Sequence, residues 1–324
     1  MRFLRKRKMM KINVEKCAKI LKEQDDILIL MHAHPDGDTL GCGFGLCRAL
    51  LKMGKRARAI CADEIQKKYD YLYKDIDMPE FEEKFIVSVD VATESLLGAL
   101  EEKYAGKIDL CIDHHGTNAC YSEYLLLNAD AAAAAEPVLK VIKALRVKID
   151  KHIADCLYTG LSTDTGCFRY ASATSNTYRA AAELIDLGAE NGRINRVMFE
   201  TKTWSYAALE RLAIESMEFF GNDRICLITI TQDMYEKTGT SEDETEAIPP
   251  LTRQIEGVEI GLTLREKEDG TCKCSVRTYE SVDASKLAAA FDGGGHKQAA
   301  ACKFSCGVEE AKRLLVEESL RLLS

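Results

Sequence analysis

The chain has 324 residues, 46% apolar and 30% charged, with 44 basic against 52 acidic side chains and a net charge of −8. That length allows two domains with sizeable cores, and no stretch approaches the roughly 18–20 apolar residues that cross a bilayer. The acidic balance argues against a grip on long duplex DNA, which takes a basic face, and favours small ligands or short oligonucleotides.

The opening "MRFLRKRKMMKI" is basic like the start of a signal peptide, but "NVEKCAKILKEQDD" behind it is amphipathic, so no export is expected. The basic arm reads as a frayed end, with Met9 or Met10 as alternative starts. "DILILMH" is a buried-strand run, and "TLGCGFGLCRALLKMG" reads as a helix closed by Gly54. "KRARAICA", "KFIVSVDVA" and "KIDLCIDHH" are further strands; "EPVLKVIKALRV", "KHIADCLYTGLSTDTG" and "SNTYRAAAELIDLG" are helical. This alternation predicts an α/β fold, a mostly parallel sheet with helices on both faces, over residues 1–190. A linker is expected over 191–212. Over 213–324 the runs "RICLITIT", "VEIGLTLREKEDGTCKCSVRTYE" and "ACKFS" predict an antiparallel set with "EDG" as a hairpin turn, making a smaller α+β domain.

The thirteen cysteines are odd in number, include no CxxC pair and often sit in apolar runs, as at Cys111, Cys156 and Cys226. Cysteine of that kind predicts a reduced, cytoplasmic protein rather than a disulfide scaffold.

Six histidines are present, and four of them (His32, His34, His114 and His115) end two predicted strands beside aspartate, in "HAHPDGD" and "DHH". Asp90 in "FIVSVDVA" and Asp164 in "LSTDTG" end two more elements. Taken singly, each has an ordinary reading: a Pro-Asp-Gly turn, a solvated strand end, a helix cap at Asp90, a loop aspartate. Their coincidence is what those readings leave unexplained, because open parallel sheets gather ligands at the carboxyl ends of their strands. Imidazole with several carboxylates and no thiolate suits manganese or a similar divalent ion. Five or six such ligands exceed the needs of one catalytic metal and fit two ions about 3.5–4 Å apart; a single zinc is the alternative. In the second domain "FDGGGHKQAA" offers Gly293, Gly294 and Gly295 as a phosphate cradle, followed by His296, with Arg277 on a preceding strand. A flexible turn with a chance histidine is the competing reading.

With these motifs in hand the chain resembles the DHH phosphoesterase family: "HAHPDGD", the Asp90 strand end, "DHH" and "STDTG" follow its four motifs in order, and "GGGH" resembles its accessory domain. The resemblance implies that His32, Asp36 and Asp90 hold one manganese and that Asp38, Asp90, His114 and Asp164 hold the other. It also implies that His115 faces the substrate phosphate and that Arg277 and His296 bind the nucleotide, with His34 assisting from behind. The two-domain length resembles most the group that acts on short oligoribonucleotides and pAp, with cyclic di-AMP or pApA hydrolysis as the alternative. A nucleotide sensor without turnover and an RNA-binding module are the readings from other classes, and a homodimer is left open. Cys42 in place of an expected serine, "AAAAAEP" without hydroxyl residues and Ala301 in place of glycine depart from the family pattern. None of them removes a ligand.

Overall fold

The computed structural model describes residues 9–245, 247–279 and 281–323, with backbone alone at Asp243 and His296. The basic arm up to Lys8 lies outside the described residues. The chain divides into two compact units, Met1–Thr201 and Lys202–Ser324.

In the first unit β1 (Met10–Lys11) and α1 (Val14–Glu23) lead into β2 (Ile27–Leu30), α2 (Gly37–Lys52) and β3 (Ala57–Ile60). The short helix α3 (Asp70–Tyr73), β4 (Phe85–Val89), a 3₁₀ segment (Glu94–Leu100) and α4 (Glu101–Tyr104) follow. Then come β5 (Leu110–Asp113), β6 (Tyr124–Leu127), α5 (Ala135–Leu145), α6 (Lys151–Asp164), α7 (Ser175–Asp186) and α8 (Asn191–Asn195). The six strands form one parallel sheet in the order β1-β6-β5-β4-β2-β3. Sequence patterning found β2 to β5; β1, with two residues, is too short to show periodicity, and β6 was not picked out.

Strands β2, β4 and β5 are buried throughout, which is why they read as continuous apolar runs. Alternate residues serve two cores. Ile27, Ile29, Val87, Val89 and Ile112 pack with the helices α1, α2, α5 and α6, whereas Leu28, Leu30 and Ile86 pack with Leu97, Tyr104 and Ile108. Full burial of each such Leu or Ile contributes about 1.5–3 kcal/mol, so these runs fix the strand order. After β3 the chain crosses to the other side of β2, where β4 pairs in parallel register, Leu30 beside Ser88. The carboxyl ends of β2 and β4 therefore flank the point where strand order reverses, the ligand crevice of open sheets.

Helix α2 carries glycines at four-residue intervals. Added Cβ atoms would meet Thr163 at Gly37, the Cys156 carbonyl oxygen at 2.2 Å at Gly41, and Leu157 at 3.3 Å at Gly45. This bare stripe lets α6 approach α2 backbone to backbone, and offsets the roughly 0.5–1 kcal/mol that each glycine costs inside a helix.

The second unit begins with α9 (Trp204–Glu215), β7 (Glu218–Phe220), β8 (Ile225–Ile230), α10 (Gln232–Thr238) and α11 (Pro249–Thr252). It ends with β9 (Ile260–Glu266), β10 (Cys272–Thr278), α12 (Ala284–Ala289), β11 (Gly294–His296), β12 (Ala299–Phe304) and α13 (Val308–Leu323). The proposed linker, 191–212, thus contains α8, a π-helical turn at Arg196–Glu200 and most of α9. The sheet order is β11-β12-β10-β9-β8-β7. It is antiparallel except between β8 and β9, which run parallel where an antiparallel set was expected. The reason is the intervening α10 and α11, since a parallel pair needs a crossover. The "EDG" hairpin is present, closed by Lys267 N–H donating to the Thr271 carbonyl at 2.8 Å, with Gly270 at φ 78°.

Candidate metal centre

The "HPDGD" stretch is a strand-to-helix junction. Asp36 caps α2, its Oδ1 accepting from the Asp38 and Thr39 amides at 2.9 and 3.1 Å. Thr39 ties the neighbouring ends together: its hydroxyl accepts from His32 N–H at 3.3 Å and donates to the Val89 carbonyl at 3.1 Å. Just beyond, Asp90 turns in the left-handed region at φ 56°, a conformation that costs energy in a non-glycine residue and gathers at functional sites.

Three triads emerge whose ligand atoms lie within 4.8 Å of one another: His32–Asp36–Asp90, Asp38–His114–Asp164 and Asp90–His114–His115. The expected set His32, Asp36, Asp38, Asp90, His114 and Asp164 is thus brought together from the carboxyl ends of β2, β4 and β5, the start of α2 and the end of α6. Each candidate histidine ligand is anchored through Nδ1, His32 to the Ala33 carbonyl at 2.8 Å and His114 to the Ala131 carbonyl at 3.1 Å. The Nε2 atoms then face carboxylates. His32 Nε2 is 3.6 Å from Asp36 and 3.7 Å from Asp90; His114 Nε2 is 3.5 Å from Asp90 and 3.4 Å from Asp164. These separations exceed a hydrogen bond. They approach the gap of about 3.0–3.4 Å between two donors that share an ion at roughly 2.1 Å. An outer contact that fixes the ring while Nε2 points inward is the usual support of a metal-bound histidine.

Two further observations fit a cation. Asp90 Oδ1 is buried without a hydrogen-bond partner among the described residues, and Thr93, not Asp90, stands at the N-cap of the 3₁₀ segment that follows. Burial and then the neighbouring carboxylates, Asp90 foremost, push the Asp38 carboxyl up to about 8, and burial with Asp38, Asp36 and Asp90 raises Asp164 as well. Burial opposes charge on the two rings, yet the carboxylates outweigh it and lift His32 to about 9 and His114 to about 10. Carboxylates that repel one another around imidazoles are relieved by a divalent ion, and the nitrogen and oxygen donors suit manganese.

Asp38 is held from outside. Its oxygens accept from the Ala134 and Ala135 amides at 2.5 and 3.0 Å, and Cys42 Sγ lies 3.4 Å from Oδ1. The alanine run therefore works through its backbone, gripping Asp38 at the start of α5 and His114 through Ala131. Sequence reasoning marked this run only for its missing hydroxyls and gave its backbone no role. It also gave no role to Asp113, the first letter of "DHH". Asp113 is fully buried; its Oδ1 lies 2.8 Å from His115 Nδ1, and its Oδ2 accepts from Asn118 Nδ2 at 2.6 Å. That contact, the largest influence on His115, raises its pKa. His34 joins none of the three triads: its largely exposed ring pairs with Asp63 at 3.1 Å.

In the second unit Arg277 and His296 share one register row, both opposite Ala299, although the His296 side chain lies outside the described residues. Arg277 is half-buried, its Nη1 donating to the Val276 carbonyl at 3.0 Å. Two of the three glycines have a steric reason. A Cβ on Gly293 would stand 2.3 Å from the Ala301 carbonyl oxygen, and Gly295, at φ 147°, would place one 2.5 Å from Ala300 Cα. Gly294 faces open space. The Gly293 amide donates to Ala288 at 2.9 Å and is spent within the fold.

Residues 26–161 match the DHH family, N-terminal domain, and residues 223–323 match the DHHA1 domain. The bifunctional oligoribonuclease and PAP phosphatase NrnA of Thermus thermophilus is 31% identical over 87% of this chain and 86% of its own length. The cyclic-di-AMP phosphodiesterase GdpP of Bacillus subtilis is 24% identical over 88% of this chain but only 46% of its own. An exopolyphosphatase-related protein from Bacteroides fragilis shares the fold at a TM-score of 0.88, with 24% identity over 96% of this chain and 97% of that one.

Proposed function

The chain belongs to the DHH family of phosphoesterases, and from that premise we propose that it uses manganese to hydrolyse short oligoribonucleotides to mononucleotides and to remove a phosphate from pAp. The observation that carries the reading is Asp90, which belongs to two of the triads and whose buried Oδ1 accepts no hydrogen bond among the described residues. His32, Asp36 and Asp90 would hold one ion, and Asp38, Asp90, His114 and Asp164 the other. When bound, the ions neutralise phosphate oxygens and lower the pKa of an attacking water.

The chain's own groups do the remaining work. Asp113 and Asn118 fix the His115 ring and favour its protonated form, which suits a group that bonds a phosphoryl oxygen or gives a proton to the leaving ribose oxygen. The Ala134 and Ala135 amides orient Asp38 before any ion arrives. Arg277 supplies charge for the terminal phosphate, with Gly294 the one glycine of its triplet open to close approach and His296 in the same register row across β12. The thirteen cysteines are all free, as a cytoplasmic setting requires, and no helix among the described residues is long and apolar enough to cross a membrane.

Similarity to the cyclic-di-AMP phosphodiesterase supports a second reading, hydrolysis of cyclic di-AMP or pApA. A manganese-dependent panel of pAp, pApA, a trinucleotide, a longer RNA and cyclic di-AMP, with product analysis, separates the two. Turnover of pAp and short linear RNA that fades with length is expected. Preference for cyclic di-AMP or pApA moves the protein to the second reading, and no turnover in a folded, manganese-loaded sample leaves a nucleotide sensor.

A further inference from the structure

The pleat sorts β9, β10 and β12 into two unlike faces. Leu262, Leu264, Cys272, Cys274, Val276, Ala300, Cys302 and Phe304 form one core with α12 and α13. The other face is apolar only at β8, where Ile228 and Ile230 meet α9 and α10. Across β9, β10 and β12 it carries small, hydroxyl and basic residues, and its charges are of one sign. Arg265 pairs in register with Lys273, and Lys273 with Lys303, so three cations stand directly opposite one another on adjacent strands. Like charges in that position cost stability, and the chain as a whole is acidic, at −8. None of the three has a carboxylate ion-pair partner among the described residues; the nearby Glu242 is 3.5 Å from Lys267 instead.

Arg265 is the most telling of them. It is only 7% exposed, yet among the described residues its guanidinium is met by hydroxyls alone, Thr245 at 3.0 Å and Ser275 at 2.7 Å, and its Nε has no hydrogen-bond partner there. A buried guanidinium that meets no carboxylate among the described residues is a costly arrangement unless an anion completes it. Its contact with Ser275 places the charge midway between the Lys273 row and the Arg277 row, since Ser275 is two residues from each. Two residues of strand measure about 7 Å. Burial and the charges of Arg265, Lys267 and Lys303 hold the Lys273 ammonium below its ordinary value, against the pull of Glu242. Positive stations thus run along β10 from Arg277 past the Arg265 contact at Ser275 to Lys273, two residues apart each time, with Lys303 beside Lys273 on the neighbouring strand. An unstacked single strand can follow that step, because its phosphates spread beyond the roughly 3.4 Å rise of a stacked one.

We propose that this strip binds the backbone phosphates of an oligonucleotide beyond the nucleotide held at Arg277, and so favours chains of several nucleotides over pAp. The proposal rests on the oligoribonuclease reading above.

The test compares the full-length protein with its Lys273→Gln/Lys303→Gln double variant; Arg265 is left in place because its burial ties it to the fold. Binding of a fluorescent phosphorothioate pentaribonucleotide is titrated without metal across a series of salt concentrations. KM is then measured with manganese for pAp and for a pentaribonucleotide. Losing two phosphate contacts at about 0.7 each lowers the slope of log affinity against log salt by about 1.4. The pentanucleotide KM should rise several-fold more than that for pAp. Equal slopes and an unchanged KM ratio, in a variant that still hydrolyses the pentanucleotide, overturn the strip and leave the activity standing. A wild type that binds with the steeper slope but hydrolyses no oligonucleotide refutes the activity and keeps the strip as a nucleic-acid site. Wild-type binding of inorganic polyphosphate as tight as that of RNA, lost equally in the variant, overturns the assignment to nucleic acid.

Discussion

Gly160→Ala tests how the candidate centre is braced. In an exposed helix the change stabilises by about 1 kcal/mol, because alanine is the better helix former. At Gly160 the new Cβ would lie 2.5 Å from Asp38 Oδ1, 3.0 Å from Ala135 Cβ and 3.3 Å from Asp38 Cα. The carboxylate cannot swing aside cheaply, since the Ala134 and Ala135 amides grip it at 2.5 and 3.0 Å. Breaking one bond to a charged group costs about 1.5–3 kcal/mol, and overpacking about 1–3 kcal/mol. These overlap, so a net loss of about 2 kcal/mol remains after the propensity gain. For a protein of this size that lowers Tm by roughly 4–8 °C. A strained Asp38 should also weaken manganese binding by about tenfold, for each 1.4 kcal/mol withheld from the ion. Tm of the metal-free protein and the resonance of free manganese during titration read the two effects separately. A raised Tm with manganese affinity at the wild-type value would refute the bracing argument.

Three further outcomes are expected. Asp90→Ala should lower turnover by about a thousandfold, roughly 4 kcal/mol in the barrier, and reduce bound manganese; near-normal activity of the folded variant would remove Asp90 from its shared position. In the metal-free protein the Asp38 carboxyl is held at about 8, against roughly 3.9 unfolded. The folded state therefore carries the extra proton between those values, and stability falls as pH rises through them. His32 and His114, raised to about 9 and 10, add stability that is complete below about 6.5 and is lost as pH climbs through those higher values. Metal-free Tm should accordingly drop between pH 6 and pH 9.5 and flatten with manganese present; a rise over that range would contradict the charge arrangement. Arg277→Ala should raise KM by roughly 10- to 100-fold, the worth of one charge-assisted contact, with kcat little changed, and an unaltered KM would exclude it from the phosphate.

The candidate metal centre was legible because its parts are locally conspicuous. His32, Asp90 and His114 directly follow apolar strand runs, and a parallel sheet aligns such ends on one side. Asp113 was hidden by its company, since "DHH" offers three polar residues and only the fold says which is buried. The alanine run was hidden for the opposite reason: its contribution is N–H and C=O, which every residue carries. The stripe of Gly37, Gly41 and Gly45 was visible at four-residue spacing, but its partner, α6, begins more than a hundred residues later.

By itself the sequence determined the α/β class, the strand ends that carry imidazole and carboxylate, and the donor chemistry, because periodicity and residue type are local properties. Only the tertiary structure decided which atoms converge and which charges lack partners. The parallel pairing of β8 with β9 depends on a crossover, and the oxygen of Asp90 left bare depends on what surrounds it in space. The row of Arg265, Lys273 and Lys303 depends on register between strands far apart along the chain. An acidic composition concealed that basic strip, since net charge sums over a surface that folding divides.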